Sequence, residues 1–195
     1  LFLMAACMFQ AVLFTAGGSA LALAVDVESG LLARMRAMPI NAAVAIGGRL
    51  ATDLLRSLAS VITVAVLGLV CGAEPDSWVG AAALGVALAM GEVLALLFCG
   101  IALRSAQPVQ VANLIQTIEM PLLMLSTAFI PVETLPDWLE PIVKHMPFSP
   151  LIDTTRAFLT GSDPGDSGWE ALAWIGGGLV LGAFWVSKAF RRRQA

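Results

Sequence analysis

The chain is 195 residues long, 58% hydrophobic and only 13% charged, with a mean hydropathy of +0.86. A water-soluble domain of this length needs far more charge to cover its surface, so these figures exclude that class and define an all-α integral membrane protein. The net charge of -3 says little about partners, because in a membrane chain the placement of Lys and Arg carries the information.

In chain order, five stretches hold the roughly 20 mostly apolar residues that a helical span needs: about 1–25, 42–72, 78–103, 109–130 and 169–190. The first opens with Leu1, without an initiator Met or a signal peptide's basic flank and cleavage site. Between the first two spans, "VESGLLARMRAMPI" (27–40) reads as an amphipathic helix. Leu31, Met35 and Met38 recur at i, i+4 and i+7 with Leu32 alongside, while Glu28, Arg34 and Arg36 lie mostly elsewhere around the axis. Asp26 and Glu28 at its start and the arginines near its end suit the helix dipole, and Pro39 stops it. The periodicity leaves two readings open, an interfacial helix resting among headgroups or an element that docks a partner.

The second span is long because its first turns carry Arg49, Asp53 and Arg56 at i, i+4 and i+7 on one face, which places that end outside the hydrocarbon. Glu92 falls near the middle of the third span, where a charge is costly unless it faces the bundle interior. In the fourth, Glu119 precedes Met120-Pro121, and that proline frees a backbone carbonyl and kinks the helix. Each carboxylate fits a substrate path or a hydrogen-bonded packing role. Between the fourth and fifth spans, prolines 131, 136, 141, 147 and 150 cut the segment 131–161 into short pieces, with Trp138, Leu139, Ile142 and Val143 forming an apolar face. Two short re-entrant helices, serving as a structural cap or an outward gate, fit this pattern better than an extended loop.

Alternating spans put Arg34, Arg36, Arg49, Arg56, Arg104, Lys188 and Arg191 to Arg193 on one side, against Lys144 and Arg156 on the other. The first group therefore marks the cytoplasmic side, with a cytoplasmic C-terminus. Leu1 then lands outside, so one upstream span and six in the complete protein are expected. Cys7, Cys71 and Cys99 stand singly in apolar runs, as small buried residues rather than metal or redox groups. No phosphate-loop, HExxH or GxSxG motif is present. An intramembrane enzyme built on Glu92, Glu119 and His145 is a rival reading, but His145 is placed outside and Glu92 near mid-membrane. A non-transporting membrane assembly protein is another.

The residues "DVESGLLARMRAMPINAAVAIGGRLATDLLRSL" (26–58) resemble the signature of the type-2 ABC exporter permeases: an acidic residue, SG, a hydrophobic pair, R-x-R and Pro, then a GR-x-x-x-D-x-x-R helix. The stretch 105–161 resembles the same family's fifth helix, its F-[IV]-P-x-[ED]-x-[LM]-P-x-W-[LM] exit motif and its P-[FL]-[ST]-x-x-[IV]-[DE]-x-x-R re-entrant motif, with daunorubicin-resistance-type permeases the nearest flavour. Met146 departs from the Asn common before Pro147, and Glu119 belongs to no family pattern.

The resemblance implies one membrane domain over 1–195, with a sixth helix upstream. It further implies a coupling helix at 27–38, involving Glu28, Gly30, Leu31, Leu32, Arg34, Met35, Arg36, Met38 and Pro39, seated in a groove of a separate ABC ATP-binding subunit. Arg49, Asp53 and Arg56 then form a lever helix, and Pro131, Glu133, Pro136, Trp138, Pro147, Asp153 and Arg156 an outer gate; independently of the resemblance, their positions within the spans make Glu92, Glu119 and Pro121 a candidate substrate path. The implied function is export of a drug-like or lipid-like amphiphile across a bacterial-type plasma membrane, by two permease copies, identical or related. No cofactor is expected in this chain, since ATP and Mg would bind the partner. A polysaccharide or lipid-linked glycan carrier is the alternative cargo class, weakly disfavoured by the absence of Tyr and only five Trp.

Overall fold

The computed structural model describes residues 2–30, 34, 42–72, 77–129, 138, 143, 146 and 148–192, with backbone alone for 42–47, 49–50, 77–79, 187 and 189–192. The described residues form six main helices and no strand: α1 (Phe2–Glu28), α2 (Ala42–Val70), α3 (Ser77–Arg104), α4 (Pro108–Met124), α5 (Phe148–Leu159) and α6 (Gly165–Arg192). Four of them, α1, α2, α3 and α6, are long and apolar enough to cross a membrane.

Patterning decides where each helix sits. α1 and α3 are apolar around their whole circumference, and such a helix belongs at the centre of a bundle. They pack on each other, α2 and α4 lie against both, and α6 flanks α3 alone among the long helices. α5 closes one end against α1, α3 and α6, with Phe148 meeting Phe9 edge to face at 5.6 Å between ring centroids. The outer faces of α2 and α6 expose Leu55, Ile62, Val66 and Val70, and Trp169, Val180 and Phe184. Large apolar side chains pointing outward in rows are what a bilayer solvates.

Close approach depends on missing side chains. Gly178 and Gly182 on α6 press against Val93 and Leu96 of α3, and Gly100 of α3 lies under Trp185. A G-x-x-x-G pair of this kind lets two helix backbones come together where burial from water supplies no driving force. Gly91 of α3 meets Val12 of α1 in the same way.

The helix bounds depart from the sequence expectation at three points. α1 runs on to Glu28, so Val27 and Glu28 belong to its last turn rather than to the helix expected at 27–38. α4, expected to reach Ile130, stops after 17 residues at Met124. The Pro121 carbonyl accepts from the Leu125 amide, and Ser126 turns back on the Leu123 carbonyl through both its amide and, at 2.6 Å, its hydroxyl. α6 begins at Gly165, four residues before the expected start. Of the cysteines expected to be buried, only Cys99 is; Cys7 and Cys71 lie exposed on the bundle surface.

Candidate functional site

α1 carries the run Thr15-Ala-Gly-Gly-Ser19, small and polar residues inside an otherwise apolar helix. Residues two apart on a helix point about 200° apart, so Thr15 and Ser19 face one way and Gly17 the other. On the first side the Ser19 hydroxyl donates to the Asp53 carboxylate of α2 at 2.5 Å, and the Thr15 and Ser60 hydroxyls lie 3.4 Å apart. Asp53 is only 5% exposed, on the side of α1 where Gly91 of α3 lies beside Ser57 of α2. The Oε1 atom of the neighbouring Glu92 has no hydrogen-bond partner among the described residues.

On the opposite side Glu119 of α4 lies over Gly17. A Cβ at Gly17 would come within 3.0 and 3.1 Å of its two carboxylate oxygens and 2.9 Å of Gln116 Cγ. Glu119 is 3% exposed and neither oxygen has a hydrogen-bond partner among the described residues. At 1.5 Å per residue, Ser19, Glu92 and Glu119 lie about 14 to 18 Å from the Glu28, Arg104 and Pro108 ends of their helices. The three acids therefore form one layer around α1, deep in the bundle.

At one end of the bundle, Glu28, Arg104 and Pro108 meet. The Glu28 carboxylate accepts a 3.0 Å hydrogen bond from the Val109 amide at the start of α4, and the Arg104 guanidinium stacks 5.7 Å from the Trp185 ring. Gly30, at φ +73, turns the chain out of α1, and the Arg34 amide donates to the Gly30 carbonyl. At the other end Arg156 ties three elements together. It pairs with Asp153 at 3.0 Å, donates to the Thr127 carbonyl at 3.0 Å, and lies 3.9 Å from the centre of the Phe2 ring. Burial pulls its pKa below the ordinary value and Asp153 pushes it back, but a guanidinium stays charged in a protein.

Between α3 and α6 runs an apolar groove of about 1240 Å³, walled by Met90, Val93, Leu97, Trp174 and Phe184 and floored by Gly177.

The sequence-derived candidates divide as follows. Glu92 and Glu119 come to a common depth but on different sides of α1. The expected Arg49/Asp53/Arg56 face does not hold as one surface: Asp53 turns into the bundle to Ser19, while Arg56 is exposed. At 100° per residue i+4 and i+7 lie about 60° apart, and the Asp53 carboxylate on the inner edge accepts from the buried Ser19 hydroxyl. Asp53 therefore joins the acidic layer. Pro121 is within α4 and exposed; Trp138 is 71% exposed. Leu31, Leu32, Met35, Arg36, Met38, Pro39, Pro131, Glu133, Pro136, His145 and Pro147 lie outside the described residues, as does the side chain of Arg49. Sequence reading passed over Gly17, Ser19 and Thr127. The Thr15/Gly17/Ser19 run was the available signal for the first two, because small polar residues in a span mark a helix contact.

The fold and this polar layer define a multi-pass, all-helical membrane domain with ionisable groups in its interior. The model of the ABC-2 type transporter family matches residues 1–159, and the chain belongs to that family. It is 27% identical over 155 residues to the daunorubicin resistance ABC transporter permease protein DrrB1 of Streptomyces coeruleorubidus, covering 78% of this chain and 55% of that one. It is 26% identical over 170 residues to the probable doxorubicin resistance ABC transporter permease protein DrrC of Mycobacterium tuberculosis strain CDC 1551 / Oshkosh, covering 84% and 59%. The chain thus spans a little over half the length of the curated relatives it matches.

Proposed function

We propose that this chain is the membrane-spanning part of a permease subunit in an ATP-driven exporter. Its cargo is a drug-like or lipid-like amphiphile, taken from the cytoplasm or inner leaflet. The observation that carries the reading is the family match over most of the chain, and the drug-resistance names of the relatives support the cargo class. In this reading the Glu28/Arg104 end faces the cytoplasm, because Arg34, Arg56, Arg104 and Lys188 belong to that half of the molecule, and the membrane is a bacterial-type plasma membrane. A separate ABC ATP-binding subunit binds ATP and Mg, and a second permease copy completes the assembly.

The segment from Gly30 to Pro39 docks on the ATP-binding subunit, with Arg34 and Arg36 as its polar contacts. Closure of the ATPase dimer reaches α2 through that segment, and the permease supplies two arrangements of contacts between which ATP drives the equilibrium. Glu119 and Glu92, with Pro121 as a bend in α4, line the substrate's course, since an ionisable group inside a span is costly and is retained for use. Asp153 and Arg156 hold the exit end closed.

The test reverses charge at Arg34→Glu and Arg36→Glu together and measures two things: co-purification with the ATP-binding subunit, and the increase in ATP turnover on adding rhodamine 6G, a cationic amphiphile. Both are expected to fall at least tenfold; wild-type values for both would remove the docking role.

A further inference from the structure

α4 starts badly capped. The amides that open a helix have no partners within it; Pro108, at the first position, has no N–H to satisfy, and the Gln107 side chain at the cap position makes no capping hydrogen bond. The Val109 amide is satisfied instead by Glu28, 81 residues away in sequence, at 3.0 Å. Glu28 is the last residue of α1, where a negative charge opposes the helix's own dipole. The same charge at the start of α4 favours that helix's dipole. Glu28 is thus poorly placed for the helix it belongs to and well placed for the one it touches.

Described hydrogen bonds flank this contact on both sides. After Glu28 the Ser29 amide still donates to the Val25 carbonyl, Gly30 turns the chain at positive φ, and Arg34 is hydrogen-bonded back to Gly30. On the other side only Ser105, Ala106 and Gln107 separate α3 from α4, and the Gln107 amide donates to the Ser105 hydroxyl. Glu28 therefore joins the end of α1, two residues before Gly30, to the first turn of α4.

We propose that Glu28 is a positioning residue that transmits movement at Gly30 to α4, the helix bearing Glu119 and Pro121. This rests on the docking role proposed above. It adds a second route, into α4, to the direct covalent route into α2.

The experiment follows amide exchange in the first turn of α4 (109–112), in the permease and ATP-binding subunit reconstituted together in lipid nanodiscs, with and without ATP plus vanadate. Wild type is expected to change its protection there on nucleotide trapping. Glu28→Ala should speed exchange of that turn roughly tenfold through loss of the cap and abolish the nucleotide-dependent change, with Glu28→Gln intermediate. The deciding variant is Glu28→Ala with Gln107→Asp, which gives α4 a cap of its own. It should recover the basal protection while the nucleotide response stays lost, since the cap no longer comes from α1. Recovery of both would show a helix cap and nothing more, and overturn the proposal; so would an unaltered Glu28→Ala, or a wild type whose α4 ignores nucleotide. If no ATP-binding subunit joins the wild-type permease, the docking reading is what fails. The first-turn exchange of the permease alone still reports whether Glu28 caps α4.

Discussion

Arg156 shows how one side chain secures the Phe2 end of the bundle. Its planar guanidinium serves three unlike partners at once: the Asp153 carboxylate, the Thr127 carbonyl and the face of Phe2. An ammonium lacks the fork and the flat face this requires. Arg156→Ala should lower stability by about 2–3 kcal/mol, through loss of a charged hydrogen bond and of the stacking. Asp153→Ala should cost less than about 1 kcal/mol, since that pair is partly solvated and spaced i, i+3 on one helix. Unfolding midpoints in detergent measure both, and equal losses would mean that the ion pair, not the cross-element contacts, holds this end. The sequence pointed to both residues through a resemblance. It did not show that Arg156 reaches Thr127 and Phe2, because these lie 29 and 154 positions away along the chain and no periodicity records such contacts.

At the scale of elements, the apolar runs gave four of the five expected crossing helices to within a few residues, since length and hydropathy are local properties; the fifth, α4, at 17 residues is not among the helices long enough to cross. What they missed is set by contact. The inward turn of Asp53 depends on a serine in another helix, and α4 ends early because Ser126 satisfies the Leu123 carbonyl. The acid expected to begin a coupling helix instead completes α1 and caps α4. The α1/α2 contact yields a prediction of its own. Ser19→Ala removes the 2.5 Å donor from a carboxylate that is 5% exposed, and should cost about 1–3 kcal/mol. Asp53→Asn keeps an acceptor and should cost less. Replacing both partners, Ser19→Ala with Asp53→Leu, should bring stability back to within about 1 kcal/mol of wild type, since paired removal leaves nothing unsatisfied. A double variant as unstable as the sum of its parts would show that the hydrogen bond is not what stabilises the contact.

For the whole molecule, the arrangement of charge matters more than any one contact. One end of the bundle carries Arg104 and Lys188 stacked on Trp185 and Phe184, the interior carries acids, and the outer faces of α2 and α6 are apolar. If Glu119 lines the course of the cargo, its negative charge should discriminate by the charge of the amphiphile rather than by its size. Glu119→Gln keeps the volume that fills the space over Gly17 and removes the ionisable group, so fold and assembly should be preserved. In the reconstituted exporter it should reduce stimulation of ATP turnover by the cation rhodamine 6G about tenfold, the effect of roughly 1.4 kcal/mol of lost charge interaction, and leave stimulation by the neutral dye Nile red within about twofold. Glu119→Leu should match Glu119→Gln in this ratio, although it packs differently. Equal loss for both dyes would make Glu119 a packing residue, its carboxyl filling the slot that Gly17 leaves. The acid that discriminates would then have to be sought on the Asp53 and Glu92 side of α1.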